Sequence, residues 1–164
     1  GMHQIQIVRA LGARSIAVTS SPSKAGHLRE LGADEVIVSP DLKFSAEAWR
    51  LTSKQGVDVA VDNLGMTLPE TLRAMAQGGT VVVLGNIDGH PVDVLPGLLI
   101  GRRIRVMGSG SGTLEDIRQA LAMLVAGQIR PIVSAKLPFS EIRRAHELLD
   151  TKGVEGRVVM QGWS

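Results

Sequence analysis

The chain has 164 residues, of which 44% are apolar and 21% charged, and its formal net charge is +2. These values predict one folded domain with a sizeable core and no disordered tract. Cysteine and tyrosine are absent, which excludes disulfides, thiolate metal sites, thiol nucleophiles and tyrosine-based proton transfer within this chain.

Partners and location are constrained by the same composition. Aromatic residues make up only 2% and no basic run occurs, so nucleic-acid binding is not expected. No apolar run approaches the roughly 18–20 residues of a membrane span, and no secretory signal is recognisable. We therefore expect a cytoplasmic protein without a membrane partner.

The first element is ambiguous by local pattern. Residues 4–8 read Gln-Ile-Gln-Ile-Val, whose polar and apolar alternation is typical of a strand. The apolar residues from Gln4 to Leu11 also fit helical spacing, and Gly12 is a good helix terminator. We predict a helix here, because residues 10–13 complete a helix-to-strand turn.

The remainder alternates between the two periodicities. Strands are predicted at Ser15–Thr19, Glu35–Val38, Val57–Val61, Thr80–Leu84, Ile104–Met107, Ile132–Leu137 and Arg157–Met160. Helices are predicted at Ser21–Gly32 with Ser21 as N-cap, Phe44–Thr52, Leu68–Ala76, Leu114–Ala126 and Ser140–Leu149. Strands that alternate with helices of about ten residues predict an α/β fold with a mostly parallel sheet.

Six segments follow one another in a characteristic order. They read IQIVRALGARSIAVTSSPSK, LRELGADEVI, GVDVAVDNLG, LRAMAQGGTVVVLGN, RIRVMGSGSGT and PFSEIRRAHELL followed by VEGRVVM. Each piece alone is common, but their shared order resembles the cofactor domain of the medium-chain dehydrogenase/reductase family. This resemblance implies a Rossmann-like, doubly wound sheet and a single nucleotide-binding domain over residues 1–164.

The sequence departs from the family pattern at its start. In the family a glycine-rich phosphate loop precedes the first helix, and Gly1 falls where its last glycine would stand. We therefore expect an N-terminally truncated fold without the strand that carries the loop, and without the GroES-like substrate domain. That strand is central in the doubly wound order, so we expect a gap between the strands at Ser15 and Val57. Preceding residues, or another segment or chain, would fill it.

The resemblance implies NADP(H) as the cofactor. In this fold the end of the second strand selects the cofactor, because a carboxylate there binds the ribose hydroxyls of NAD. Residues 19–24 read Thr-Ser-Ser-Pro-Ser-Lys, without a carboxylate. Ser20 and Lys24 are the predicted ligands of the 2′-phosphate. The alternative is a capped turn followed by a solvated lysine, and the family's phosphate-binding tyrosine position corresponds here to Ser39.

Further cofactor contacts are predicted where later strands end. The predicted residues are Asn63 in the Asp62–Gly65 turn, Gly85, Asn86 and Ile87, Gly108 and Ser109, and Arg157 of a Gly-Arg pair. Glycine lets the backbone approach a ligand closely. Each position also has a plain interpretation, namely an Asx turn, a simple turn, a flexible loop or a surface arginine.

The remaining predictions concern metals, oligomers and activity. The four histidines lack ligand spacing, so no metal site is expected. Residues 102, 103 and 105 are arginines beside a candidate edge strand, where the resemblance implies homodimerisation through Ile104–Met107; a solvated face is the alternative. We expect an NADP(H)-dependent oxidoreductase of quinone, enoyl or alcohol/carbonyl substrates with no catalytic residue in this chain. The rival is a non-catalytic fragment or dimerisation module.

Overall fold

Helices and strands alternate along the chain in the predicted order. The structure is a computed structural model and describes residues 1–151 and 154–162. The α-helices are α1 (Met2–Ala10), α2 (Ala25–Glu30), α3 (Ser45–Leu51), α4 (Leu68–Ala74), α5 (Pro96–Arg102), α6 (Leu114–Val125) and α7 (Ile142–Asp150). The strands are β1 (Ile16–Thr19), β2 (Glu35–Val38), β3 (Val57–Asp62), β4 (Met75–Val83), β5 (Arg105–Gly108), β6 (Val133–Pro138) and β7 (Arg157–Gln161). Short 3₁₀ turns at Pro22–Lys24 and Phe139–Glu141 lead into α2 and α7.

The ambiguous first segment is a helix. Because of the helical spacing, the Ile5 side chain packs in a core cluster that includes Leu28 and Leu31. Gln6 is also buried, which a helical pattern of apolar residues does not foresee. Its amide is satisfied by the backbone of Arg130, with Nε2 donating to the carbonyl at 3.2 Å and Oε1 accepting from the N–H at 2.9 Å.

Two local predictions need correction, and one segment without a prediction forms a helix. The fourth helix ends at Ala74 rather than at Ala76, because Met75 is extended, fully buried and paired with Val57 as the first residue of β4. Residues 96–102, left without an assignment by the sequence, form α5 with proline at its start. Ser21 precedes the 3₁₀ turn but does not cap it, because its hydroxyl is hydrogen-bonded to that of Ser23 at 2.8 Å.

The strands form three parallel sheets, in the orders β1-β2, β3-β4-β5 and β6-β7. In the described residues β1 and β3 are not paired with one another, so the expected gap between these strands is confirmed. Apolar side chains are exposed along the gap-facing strands, with Val59 61% and Val61 40% exposed on β3 and Val18 38% exposed on β1. The strands therefore do not join into one continuous doubly wound sheet.

The first two sheets nevertheless share a core. One cluster joins Ile37 of β2, Phe44 and Ala48 with Ala74 of α4, and both Ile16 of β1 and Val57 of β3 pack against it. Helix α3 supplies part of this packing and also a hydrogen bond, from Trp49 Nε1 to the Arg73 carbonyl at 2.7 Å. Burial of apolar area thus holds β1 and β3 in one body although their backbones do not meet.

The last sheet attaches to the opposite side of the first. Ile132, just before β6, packs in the cluster of Ile5 and Leu28. His27 Nδ1 of α2 lies 2.7 Å from Glu155 Oε2, which ties the segment before β7 to this helix. These contacts bring the start of β7 toward the first turn of α1.

Helix α6 has a well-formed start and an exposed apolar face. Thr113 and Asp116 form a capping box, in which each side chain bonds the backbone N–H of the other residue. No residue of the helix is buried. Its apolar side chains stand exposed at Leu114, Ile117, Leu121, Leu124 and Val125.

Candidate functional site

The loops that follow β3, β4 and β5 lie side by side. The N–H of Leu84 donates to the Asp62 carbonyl at 2.8 Å, and that of Ile87 donates to the Leu64 carbonyl at 3.0 Å. On the other side, the N–H of Ser109 donates to the Val83 carbonyl at 3.0 Å. The structure therefore brings together six of the predicted cofactor residues, which are Asn63, Gly85, Asn86, Ile87, Gly108 and Ser109.

Two glycines allow the first two of these loops to touch. A Cβ atom on Gly85 would lie 2.1 Å from the Asn63 carbonyl oxygen. Gly65 has a φ of +81°, and a Cβ there would lie 2.7 Å from the Gly85 carbonyl oxygen. Glycine at both positions is thus explained by close backbone packing. Gly108 differs, because nothing lies within 4 Å of the place its Cβ would take.

Asp62 shapes the turn after β3 from inside the protein. Its side chain is buried, and Oδ1 accepts from the N–H of Leu64 at 3.0 Å and of Gly65 at 2.9 Å. The hydroxyls of Thr67 and Thr71 donate to the two carboxylate oxygens at 2.8 and 3.3 Å. The Asx-turn interpretation is confirmed for Asp62, whose carboxylate is directed at its own turn.

Asn63 is half-buried and pairs with a residue of α1 that the sequence did not single out. Gln4 Nε2 donates to Asn63 Oδ1 at 2.9 Å, and Asn63 Nδ2 donates to Gln4 Oε1 at 3.0 Å. The two carboxamides thus form a reciprocal pair. A pair separated by 59 positions leaves no local sequence signal, so only the fold could reveal it.

Ser20 and Lys24 lie on the other side of the gap, in the loop that follows β1. Ser20 is exposed, and the loop lies beside the end of β2, since the N–H of Ser39 donates to the Thr19 carbonyl at 2.9 Å. The Ser39 hydroxyl is itself buried and donates to Asp41 Oδ1 at 2.9 Å. Ser39 is therefore occupied within its own turn, whereas Ser20 is exposed and Lys24 is half-buried.

Arg157 lies near the first turn of α1. The pKa of the Gly1 amine is lowered, first by the groups that crowd and desolvate it and second by the positive charge of Arg157. Gly1 as a whole stays exposed, so the crowding is confined to the amine. The positive charge of Arg157 thus stands beside a helix N-terminus, which carries a partial positive charge of its own.

The arginines near β5 have partners within the fold. Arg102 donates to the carbonyls of Arg73 and Met75 at 2.8 and 3.1 Å, and its guanidinium lies 4.7 Å from the centre of the Trp49 ring. Arg105 donates to the Thr80 hydroxyl at 3.0 Å and to the Gly78 carbonyl at 3.1 Å. Neither is simply solvated, and both brace the sheet from its edge.

Residues 1–151 and 154–162 contain no group of histidine and carboxylate side chains able to hold a metal ion. No helix in this part of the chain is long and apolar enough to cross a bilayer.

An open cleft of about 600 Å³ lies away from the predicted site. It lies between the C-terminal ends of α1 and α2 and the segment after α6, and Arg9, Glu30 and Arg130 are among its lining residues. None of the predicted cofactor residues is among its lining residues, and Asn63 contacts the first turn of α1 instead. We therefore place the candidate site along the loops and not in this cleft.

The fold and these loops agree with the outcome of sequence comparison. A family profile described as zinc-binding dehydrogenase matches residues 1–126. The chain belongs to this family, the medium-chain dehydrogenase/reductases, and consists of α/β structure typical of their cofactor domain.

Individual relatives extend the likeness to almost the whole chain. An acryloyl-coenzyme A reductase of Metallosphaera sedula is 35% identical over 162 residues, which is 98% of this chain and 47% of the relative. The chain thus spans about half the length of the curated relatives it matches. The crystal structure of AibC is 40% identical with a TM-score of 0.91, over 99% of this chain and 46% of that one.

Two other solved structures belong to proteins that are described with different cofactors. An alcohol dehydrogenase described as NAD-dependent is 28% identical with a TM-score of 0.86, over 99% of this chain and 48% of that one. A crotonyl-CoA carboxylase/reductase in complex with NADP is 24% identical with a TM-score of 0.90, over 98% of this chain and 46% of that one, and shows the fold alone.

Proposed function

We propose that residues 1–164 are the cofactor domain of an NADP(H)-dependent oxidoreductase. The observation that carries the proposal is the alignment of the loops after β3, β4 and β5, together with an acid-free loop after β1. In open parallel sheets, ligands bind at the carboxyl ends of the strands. The alternative, a folded module without cofactor affinity, predicts no binding of any dinucleotide.

The residues present fit such a cofactor. The loop after β1 contains Ser20 and Lys24 and no carboxylate. The Asp62 carboxylate is buried in its own turn, away from an incoming phosphate. Arg157 and the N-terminus of α1 together favour an anion, which suits the pyrophosphate. The bound nicotinamide would supply hydride transfer, while the chain's own loops position it. Asn63, Gly85, Asn86, Ile87, Gly108 and Ser109 are proposed to line its nicotinamide side.

The test is a binding titration with reduced dinucleotides. NADPH and NADH are titrated by nicotinamide fluorescence into the chain and into the longest polypeptide that its gene encodes. We expect NADPH to bind at least about tenfold tighter than NADH, a preference equivalent to about 1.4 kcal/mol. Lys24→Met should remove that preference, whereas Lys54→Met on the distant turn after α3 should keep it.

Two results would refute different parts of the proposal. If neither polypeptide binds either dinucleotide, the module without cofactor affinity is the correct interpretation. Equal affinity for the two dinucleotides would reject the choice of NADP(H) and leave the cofactor domain in place.

The activity of the whole protein is a wider proposal. The 35% identity to an acryloyl-coenzyme A reductase favours reduction of an activated carbon–carbon double bond over a quinone or carbonyl substrate. Oxidation of NADPH at 340 nm in the presence of acryloyl-coenzyme A, measured on the longest encoded polypeptide, tests this. We propose a cytoplasmic location for the same protein.

A homodimer through β5 is part of the proposal. All four residues of β5 are exposed, and β4 is its only partner in the described sheet. Because the N–H of Ser109 faces β4, alternation along the strand directs the N–H of Val106 to the free edge. An unpaired edge of this kind favours pairing with another strand.

Sedimentation velocity tests the dimer. Val106→Pro removes the outward N–H and should shift the protein from dimer to monomer, whereas Val106→Thr keeps the N–H and should leave the dimer intact. A monomeric unmodified chain, or a dimer unaffected by proline, would exclude this edge as the interface.

A further inference from the structure

The Gln4–Asn63 carboxamide pair connects two parts of the molecule whose backbones do not pair. Gln4 lies on the first turn of α1, which packs with the β1-β2 sheet, and Asn63 directly follows β3 of the second sheet. Two hydrogen bonds of 2.9 and 3.0 Å join the side chains across the gap between β1 and β3.

The pair also acts on the neighbouring loop. The Asn63 carbonyl packs against Gly85 so closely that a Cβ on Gly85 would lie 2.1 Å away. The next carbonyl, that of Leu64, accepts the Ile87 N–H at 3.0 Å. Any displacement of Asn63 must therefore move the loop after β4 as well.

The Asn63 carboxamide oxygen and one of its N–H groups are already used by Gln4. A side chain held in this way fixes the position of its loop along the proposed nicotinamide side. We propose that Gln4 is a positioning residue, which acts through Asn63 to hold the loops after β3 and β4 at a fixed place relative to the N-terminus of α1.

This inference rests on the proposed function only for its consequence in binding. If the adenosine half of NADPH binds beside β1 and the nicotinamide half beside β3 and β4, the pair sets the spacing of the two half-sites. A dinucleotide gains affinity by occupying both half-sites at once, and that gain depends on their geometry. Loss of the pair should weaken the whole dinucleotide but not its adenosine half.

The primary variant is Gln4→Met, which keeps the length of the side chain and removes both hydrogen bonds. The control is Gln119→Met on α6, where the amide donates to Glu115 at 3.2 Å on the exposed surface. The rescue is the exchange Gln4→Asn with Asn63→Gln, which conserves the summed length of the two side chains.

Amide hydrogen exchange of the ligand-free chain gives the first measurement. Gln4→Met should speed exchange of the Leu84 and Ile87 N–H groups by about 5-fold or more, a factor typical of coupling between sites. The exchanged pair should restore the rate. Equal exchange in Gln4→Met and Gln119→Met would overturn the inference.

Ligand binding to the longest encoded polypeptide gives the second measurement. Gln4→Met should raise the Kd for NADPH about 5-fold or more and leave that for 2′,5′-ADP unchanged. An equal loss for both ligands would mean general destabilisation and would overturn the positioning role. If the unmodified protein binds no dinucleotide, the proposed function fails, and the exchange rates alone decide whether Gln4 positions the loops.

Discussion

Gly85 packs its α-carbon against the Asn63 carbonyl oxygen, with room for hydrogen only, since a Cβ would stand 2.1 Å from that oxygen. Gly85→Ala must therefore push the loops after β3 and β4 apart. Overpacking of this kind costs about 1–3 kcal/mol, which urea denaturation would measure as a lower free energy of unfolding. Gly108→Ala meets nothing within 4 Å and should change that free energy little.

Asp62→Asn should also be destabilising. The buried carboxylate accepts two backbone and two hydroxyl hydrogen bonds, and an amide nitrogen in place of one oxygen cannot accept from its donor. Hydrogen bonds to a charged group contribute about 1.5–3 kcal/mol each, so a loss of this order is expected in urea denaturation. The exposed Asp58 of the same strand serves as control, and an equal effect of Asp58→Asn would contradict this account.

Asp34 should govern part of the acid sensitivity of folding. The N–H and the hydroxyl of Ser15 donate to its Oδ2 at 2.7 and 3.1 Å. These two hydrogen bonds, of which the one from the N–H has the larger effect, hold the pKa of Asp34 below its usual range. A lowered folded-state pKa gives stabilisation that is present above the unfolded value of about 3.9 and is lost as pH falls through the folded pKa.

The measurement is the free energy of unfolding from about pH 6, above the unfolded pKa of about 3.9, down to about pH 2. Asp34→Asn should lower the free energy of unfolding near pH 6 and make it fall less steeply as the pH approaches 2. Asp93→Asn, on an exposed loop, should retain the full decline. An unchanged slope in Asp34→Asn would show that other carboxylates carry the acid response.

Two valines on neighbouring strands should differ sharply in how much stability is lost when each is replaced by threonine. Val81 of β4 is 0% exposed, whereas Val59 of β3 is 61% exposed beside the gap. Val81→Thr buries a hydroxyl and should cost about 1–3 kcal/mol, and Val59→Thr should stay within about 0.5 kcal/mol. Thermal melts of both variants test this; a large loss in Val59→Thr would mean that β3 is covered in solution.

The exposed valines carry a second expectation. Apolar side chains on an unpaired strand favour association between molecules. Val59→Thr should therefore raise the concentration at which light scattering first detects aggregates. No change in that concentration would indicate that aggregation begins elsewhere on the surface.

The sequence by itself determined the family, the order of the elements and the place of the gap. Helical and strand periodicities are local, and the chain satisfies both consistently, as in the helix around Ile5 and the strand around Val81. Strand ends are equally local, which is why Asn63, Gly85 and Ser109 could be expected at one edge. Their roles toward a cofactor stay predictions.

Only the tertiary structure decided which partners those residues have. Met75 left its predicted helix because burial against Leu72 and Val81 outweighs local propensity. Arg102 braces the fold instead of facing solvent, because the carbonyls of Arg73 and Met75 come within its reach. The pairing of Gln4 with Asn63 depends on how two sheets are packed. Contacts between positions so far apart cannot be predicted from the periodicity of residues in a single sequence.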